Sequence, residues 1–434
     1  MPRVAFETLG CKVNQYESER IAARFADAGF EVVPTDEKAD VCVINTCSVT
    51  QVAEAKSRKA IRRLARANPG AMVVVTGCDV EIAKRVGRTF PEATLLVPNE
   101  VKLDLLEYVL QAAPRLRESV ADGEASASAR HIPFRPTRTR AIIKVQDGCD
   151  MYCSFCSVPL SRGPVRSRTP DEILKEVRQE VDWGRREIVL TGILVGGYGK
   201  DLVSPRLELA DLMEMVAAVP GVLRVRLSSI EPTQVSDRLL KLMASMPSIC
   251  PHLHIPLQSG DDRVLEAMRR PYNAAFYRDL CQKAARQIPD LAITTDVLVG
   301  FPGEDEAAYQ HTVALCREVG FARMHVFRYS PRPGTSASEL PDQVPEGVKD
   351  CRMRSLTQVA AQLRKDFARK YIGRVLDVLG EPGGEQGVFS GYTPNYIRVR
   401  FRADGLQPGQ LVPIRIEGVH GDAVEGSLAS SVSA

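Results

Sequence analysis

Residues 141–156 read AIIKVQDGCDMYCSFC, a short β-rich run that leads straight into three thiols spaced CxxxCxxC. Ala141–Gln146 predicts a strand, and Cys149, Cys153 and Cys156 follow it within one loop. A cubane cluster of four irons has four corners, so three thiolates leave one iron open to bind and reduce a ligand. A zinc site is the alternative. Zinc prefers paired CxxC units completed by a fourth Cys or His, and no such partner follows nearby.

Downstream of this loop the same alternation recurs. EIVLTG (187–192), RVRLSS (224–229), LHIPLQ (253–258), ITTDVLVG (293–300) and MHVFRYS (324–330) are further strand candidates separated by helix-length segments. Six such repeats predict a central partial (βα)6 barrel over 139–367. The first helix illustrates the local logic. Thr169 can cap it, Pro170 suits its first position, Ile173, Val177 and Val181 recur every fourth residue, and Gly184 supplies a stop. Gln258 and Asp296 fall at carboxyl ends of strands, where barrel enzymes place active-site groups; turn or helix-start roles are the alternative. His252 and His254 flank Leu253, so one is expected to point inward as a satisfied core histidine.

Upstream, VAFETL, VCVIN and MVVVTG alternate with helices near Glu17–Ala28, Val52–Ala67 and Val80–Val86, which predicts an N-terminal doubly wound parallel sheet over 1–113. Cys11, Cys47 and Cys78 each lie just beyond one of these strands, at intervals of 36 and 31 residues, about one βαβ crossover apiece. Ligands of open α/β sheets bind outside the carboxyl ends of the strands, so three loops on one edge can converge on a second cluster with an open iron. Three unrelated loop thiols are the alternative. Cys42, inside a strand, reads as core, and Cys250, Cys281, Cys316 and Cys351 as core or incidental.

Residues 114–138, with ADGEASASAR at their centre, show no apolar period and read as a linker. From 368 to 434 short strands with Gly/Pro turns, RVLDVL, GYTPNYIRVRF and LVPIRIEGV, predict a small C-terminal β-barrel, and SLASSVSA reads as a disordered tail. The fold class is thus α/β with three domains. The 434 residues include eleven cysteines, an odd number that cannot fully pair, and neither a secretion signal nor an apolar run of membrane-spanning length stands in the sequence. The expectation is a cytoplasmic chain with no membrane association. A net charge of +3 does not by itself imply nucleic-acid binding, so any RNA contact must come from local patches.

These motifs resemble the radical S-adenosylmethionine (SAM) superfamily, with CxxxCxxC after the first barrel strand and the aromatic Phe155 before its third cysteine. The wider set resembles that superfamily's methylthiotransferase branch over nearly the whole chain: TLGCKVNQYESE (8–19), INTCSVT (44–50), RGxxRSR (162–168), LHIPLQSG, GFPGE (300–304) and YSPRPGTSA (329–337). GCKVNQYESE is similar to the subfamily acting on N6-threonylcarbamoyladenosine in tRNA, whereas isopentenyladenosine-type enzymes tend to read GCQMN and the ribosomal-protein type GCPKN.

The resemblance implies two 4Fe-4S clusters, one on Cys149, Cys153 and Cys156 that cleaves SAM to a 5′-deoxyadenosyl radical, the other on Cys11, Cys47 and Cys78 that handles sulfur. It implies SAM contacts from Phe155, from Thr191 and Gly192, from Ser228 and Glu231, and from Gln258 and Asp296. Two departures from the family pattern are Asp79-Val80 after Cys78 and Ser157-Val158 after Cys156.

RNA-facing signals are local. Lys56, Arg58, Lys59, Arg62, Arg63 and Arg66 lie largely on one side of a helix, which a solvated face would equally explain. Arg398, Arg400 and Arg402 alternate with Val399 and Phe401, so one strand face presents three guanidinium groups. From Asp366 onward seven Lys/Arg stand against eight Asp/Glu, so the segment is not basic overall. It resembles a TRAM domain, an RNA-binding barrel, which implies tRNA binding through that stripe. Tyr392 and Tyr396 are either stacking surfaces for RNA bases or barrel packing. tRNA and an electron-donor protein are the partners implied.

Overall fold

The computed structural model describes residues 1–117, 138–204, 207–421 and 423–429. Most of the linker reading and the last residues of the tail reading lie outside them; residues 114–117 are helical. Among the described residues the chain packs as two compact units, Met1–Thr137 with Gly148–Pro164 and Ser330–Ser338, and Arg138–Asp147 with Val165–Tyr329 and Glu339–Ala434. None of the helices described is long and apolar enough to cross a membrane.

The first unit is built on five parallel strands, β1 (Arg3–Thr8), β2 (Glu31–Val33), β3 (Val41–Thr46), β4 (Met72–Gly77) and β5 (Leu95–Leu96), in the order β2-β1-β3-β4-β5. This is a doubly wound order whose crevice opens between β1 and β3. Alternation along the strands divides two cores. Val41, Val43, Met72 and Val74 face Ile21 and Phe25 of α1 (Lys12–Asp27), while Cys42, Ile44, Val73 and Val75 face Ile61 and Leu64 of α2 (Gln51–Ala67) and Val80 of α3 (Cys78–Arg85). Helix α4 (Leu105–Ala112) completes the first face through Leu105, Leu106 and Val109. Helix α1 begins five residues before the sequence expectation. Its first turn is polar and hides the apolar period, yet Val13, Asn14, Tyr16 and Glu17 are all buried.

The second unit carries the six expected strands: β6 (Arg140–Lys144), then, after the short hairpin of β7 (Gln146–Asp147) and β8 (Arg166–Ser167), β9 (Glu187–Thr191), β10 (Arg224–Leu227), β11 (His252–His254), β12 (Ala292–Val299) and β13 (Arg323–Arg328). Parallel sheets β6-β9-β10 and β11-β12-β13 are linked by the Ser229–His254 bridge, giving a partial barrel of six strands in chain order. Between the two halves of the β7–β8 hairpin runs α5 (Val158–Arg162), which belongs to the first unit.

The helices α6 (Pro170–Asp182), α7 (Leu209–Ala217), α8 (Asp237–Ser245), α9 (Asp262–Ala267), α10 (Ala274–Gln287) and α11 (Glu306–Val319) surround the strands. The Thr169 hydroxyl and Glu172 form the capping box of α6, whose Ile173 and Val177 are fully buried. Ala141, Ile143, Ile188, Leu190, Val225, Leu227, Leu253 and Val297 face this helical layer, so the alternate residues line the inside of the barrel. A long helix, α12 (Glu346–Arg369), packs on β13 and leads to a closed five-stranded barrel, β14 (Val375–Pro382), β15 (Val388–Tyr392), β16 (Arg398–Arg402), β17 (Leu411–His420) and β18 (Ala423–Leu428), in the order β14-β15-β16-β18-β17.

Candidate functional site

Cys11, Cys47 and Cys78 stand at the carboxyl ends of β1, β3 and β4, three neighbouring parallel strands. Asn14, in the first turn of α1, staples two of their loops, donating from Nδ2 to the carbonyls of Leu9 (2.8 Å) and Thr46 (2.9 Å). Asn45 returns the tie by donating to the Asn14 carbonyl at 3.1 Å and to the Ser18 hydroxyl at 3.1 Å. The three thiols lie within electrostatic reach of one another. Burial pushes the Cys47 thiol up to about 12, while Cys11 stands exposed at the edge of the group under the pull of Arg162.

Beneath these thiols is a buried ionic group. Arg162, at the end of α5, donates to both oxygens of Glu17 (3.0 and 3.1 Å) and to Asn14 Oδ1 (2.6 Å). Lys102 ion-pairs with Glu17 from the other side. Burial pushes the Lys102 ammonium down, against the pull of Glu17. The side chains of Arg162, Glu17 and Lys102 are 1, 1 and 2% exposed, so their charges interact in a poorly screened medium. On the α2 side, Arg332 donates to Glu54 at 2.8 Å while its Nε and Nη2 remain without partners. Asp79, one of the sequence departures, is fully buried and paired with Arg88, so that position has its own counter-ion.

The CxxxCxxC loop packs in this same unit. Gly148 turns it with φ +74°, at a point where a Cβ would stand 1.7 Å from the Pro164 carbonyl oxygen, so no other residue fits. The Cys149 amide donates to Gly163 O (3.0 Å), the Cys156 amide to Cys153 O (3.0 Å), and the Ala337 amide to Ser154 O (2.8 Å). All three thiols and Phe155 are half-buried. Among the described residues no three His, Cys, Asp or Glu side chains close on a single metal ion. A cubane takes its thiolates at separate corners and so accommodates thiols that approach without closing. The N-terminal trio fits such a group on one further observation, the partnerless buried Nε and Nη2 of Arg332, whose charge acts on Cys47.

In the second unit, Thr191, Ser228 and Asp296 fall on the inner face of the barrel strands. Thr191 and Ser228 are buried, and the Ser228 hydroxyl lacks a partner. Asp296 lies between two histidines, 3.3 Å from His254 Nε2 and 3.5 Å from His325 Nδ1. Gly192 is pressed against Gln146, Glu231 is ion-paired with Arg270, and Gln258 adopts a left-handed φ of 64° while its amide donates to Asp296 O at 2.9 Å. His252 and His254 correct the sequence expectation. Residues two apart on a strand share a face, and both rings share the Thr294 hydroxyl, at 3.0 and 2.9 Å.

Arg398, Arg400 and Arg402 are exposed on β16 while Val399 and Phe401 are buried. Arg398 also lines a cavity of about 220 Å³ together with Arg323, Arg364 and Lys365. The tyrosines, half-buried, make packing contacts and also line this cavity. Tyr392 stacks on Tyr396 (centroids 4.5 Å), Tyr396 on His252 (4.3 Å), and Arg140 lies over Tyr392 at 4.7 Å. On α2 the basic side is partly neutralised, since Arg58, Arg62 and Arg63 pair with Glu54, Glu92 and Glu7. Sequence reasoning missed Lys102, Arg332 and His325. Arg332 lies in the quoted YSPRPGTSA block, whereas Lys102 sits in no motif.

Comparison with known proteins adds the following. The model described as uncharacterized protein family UPF0004 matches residues 3–97, and that of the radical SAM superfamily matches residues 143–316. The threonylcarbamoyladenosine tRNA methylthiotransferase MtaB of Bacillus subtilis is 40% identical, covering 96% of this chain and 94% of its own. That of Thermotoga maritima is 37% identical over 100% and 98%. The tRNA-2-methylthio-N(6)-dimethylallyladenosine synthase of Chloroflexus aurantiacus is 36% identical over 98% and 92%. Among solved structures, the radical S-adenosylmethionine methyltransferase TsrM from Kitasatospora setae, with tryptophan and a SAM analogue bound, gives a TM-score of 0.53 at 13% identity, covering 78% of this chain and 75% of that one. At that identity the likeness concerns the fold.

Proposed function

Because the chain belongs to the radical SAM methylthiotransferases of tRNA, we propose that it converts N6-threonylcarbamoyladenosine next to the anticodon into its 2-methylthio derivative, replacing the C2–H bond by C2–SCH₃. When bound, a 4Fe-4S cluster on Cys149, Cys153 and Cys156 supplies reductive cleavage of SAM, and a second cluster on Cys11, Cys47 and Cys78 supplies the sulfur. The observation that carries this reading is the gathering of Cys11, Cys47 and Cys78 at one sheet edge, in a unit that also holds the CxxxCxxC loop.

The residues then divide the work. Phe155, Thr191, Gly192, Ser228, Glu231, Gln258 and Asp296 bind SAM, with Asp296 oriented by His254 and His325. The stripe of Arg398, Arg400 and Arg402 takes tRNA phosphates, which the basic cavity beside Arg398 supports. The three domains at 1–113, 139–367 and 368–434 carry sulfur handling, radical chemistry and RNA binding in that order. An electron-donor protein reduces the barrel cluster, and the enzyme works on tRNA in the cytoplasm.

A second reading, the dimethylallyl substrate, is favoured by the Chloroflexus relative. Mass spectrometry of tRNA nucleosides from a deletion strain separates the two. The expected result is loss of 2-methylthio-N6-threonylcarbamoyladenosine with build-up of its unthiolated precursor. Loss of the 2-methylthio dimethylallyl nucleoside alone would overturn the threonylcarbamoyl assignment.

A further inference from the structure

Each thiol at the N-terminal sheet edge has a buried cation acting on it, and each cation arrives from a different part of the chain. Arg162, from the loop that carries the other three cysteines, acts on Cys11. Lys102, just before α4, acts on Cys78. Arg332, from the segment after β13, acts on Cys47. Their side chains are 1, 2 and 6% exposed.

Glu17 answers Arg162 and Lys102, while Glu54 answers Arg332 and is shared with Arg58 and Arg88, the latter paired also with Asp79. Cations therefore outnumber carboxylates around the thiols, and three of the cations, Arg162, Lys102 and Arg332, are poorly hydrated. A buried surplus charge is costly unless something of opposite sign joins it. Two nitrogen atoms, Arg332 Nε and Nη2, are buried without any hydrogen-bond partner, although cationic N–H groups rarely go unpaired in an interior. A 4Fe-4S²⁺ core with three thiolates carries one net negative charge and presents sulfur acceptors on its faces. It matches both the surplus and the unused donors.

We propose that Lys102, Arg332 and Arg162 form a cationic cradle for the N-terminal cluster, in which the unpaired N–H groups of Arg332 donate to cluster or ligand sulfur and the charges of all three raise its reduction potential. The inference rests on Cys11, Cys47 and Cys78 being the ligands. Reduction adds a negative charge, so a nearby fixed cation favours the reduced form, and hydrogen bonds to cluster sulfur act in the same direction. These are positioning residues. They touch the group that holds sulfur and not the adenosine.

The test uses the full chain with Cys149, Cys153 and Cys156 replaced by Ala, anaerobically reconstituted, so that one cluster remains to be titrated by EPR against potential. Failure of this background to assemble any cluster while folded would reject the ligand assignment itself, before the cradle is examined. With the cluster in place, Lys102→Met and Arg332→Met should each shift the one-electron reduction equilibrium at least about tenfold toward the oxidised form, ~59 mV more negative. Lys102→Arg and Arg332→Lys should restore most of it. Should a Met variant fail to hold the cluster, retention by its conservative counterpart supports the charge requirement, whereas loss in both folded variants overturns it. An unchanged midpoint potential in both Met variants also overturns the cradle.

Discussion

At Gly10 a Cβ would stand 2.6 Å from Cys47 Cβ and 2.7 Å from its Sγ, on a backbone with φ +97°. Any side chain there must displace the thiol. Gly10→Ala should therefore cut bound iron to roughly half while SAM cleavage persists, measured as iron content and 5′-deoxyadenosine after reduction. The same thiol gives a pH dependence. Burial holds Cys47 near 12 in the free protein, and ligation requires the thiolate, so loading releases protons and assembly at the N-terminal trio should be faster at pH 9 than at pH 7. Equal rates, followed by iron–sulfur absorbance in the Cys149/Cys153/Cys156 variant, would contradict it. The six cysteines were legible because thiols after strands make an uncommon pattern. Lys102 was not, since a single lysine in a surface-like sequence gives no sign that folding will bury it against Glu17.

Among the elements, β10 shows what an inward strand face can do besides chemistry. Arg226 donates to Glu187 (2.7 Å) and to the carbonyls of Pro394 and Thr393 (2.9 and 3.1 Å), while Arg224 holds the carbonyls of Tyr392 and Asp377 (3.1 and 2.8 Å). Burial alone would push the Glu187 carboxyl up, but Arg226, Arg140 and Arg224 hold it below its ordinary 4.5. A depressed carboxylate stabilises the fold above its unfolded value and loses that contribution as pH falls through the folded one. Glu187→Gln should accordingly cost about 3–5 kcal/mol near neutral pH and make the acid loss of stability below pH ~4.5 shallower, in denaturant titrations at several pH values. Strands β6 and β9–β13 were readable from their apolar runs. Helix α12 was not, because Lys349 and Arg352 occupy its buried stripe beside Leu356 and Ala360, and β18 carries Glu425, Gly426 and Ser427 where an apolar alternation would have marked it. The arginine stripe of β16 did follow from its alternation. Changing Arg398, Arg400 and Arg402 to Gln should weaken tRNA binding and lower the salt slope by up to about three, leaving SAM cleavage without tRNA unaltered.

For the molecule as a whole, the two cysteine sets should fail differently. A Cys11/Cys47/Cys78→Ala variant should still form 5′-deoxyadenosine yet give no methylthiolated nucleoside, and continued product would show that sulfur is held elsewhere. The stacked rings of Tyr392, Tyr396 and His252, with Arg224 and Arg226 only 5 and 2% exposed beneath them, have a bearing on access to the barrel. They pack across the amino-terminal end of the strand array, which gives the polar lumen around Asp296 a floor. With stacked rings and guanidinium groups on that side, the end of the strands where Thr191 and Ser228 stand is the approach by which a small molecule would reach Asp296.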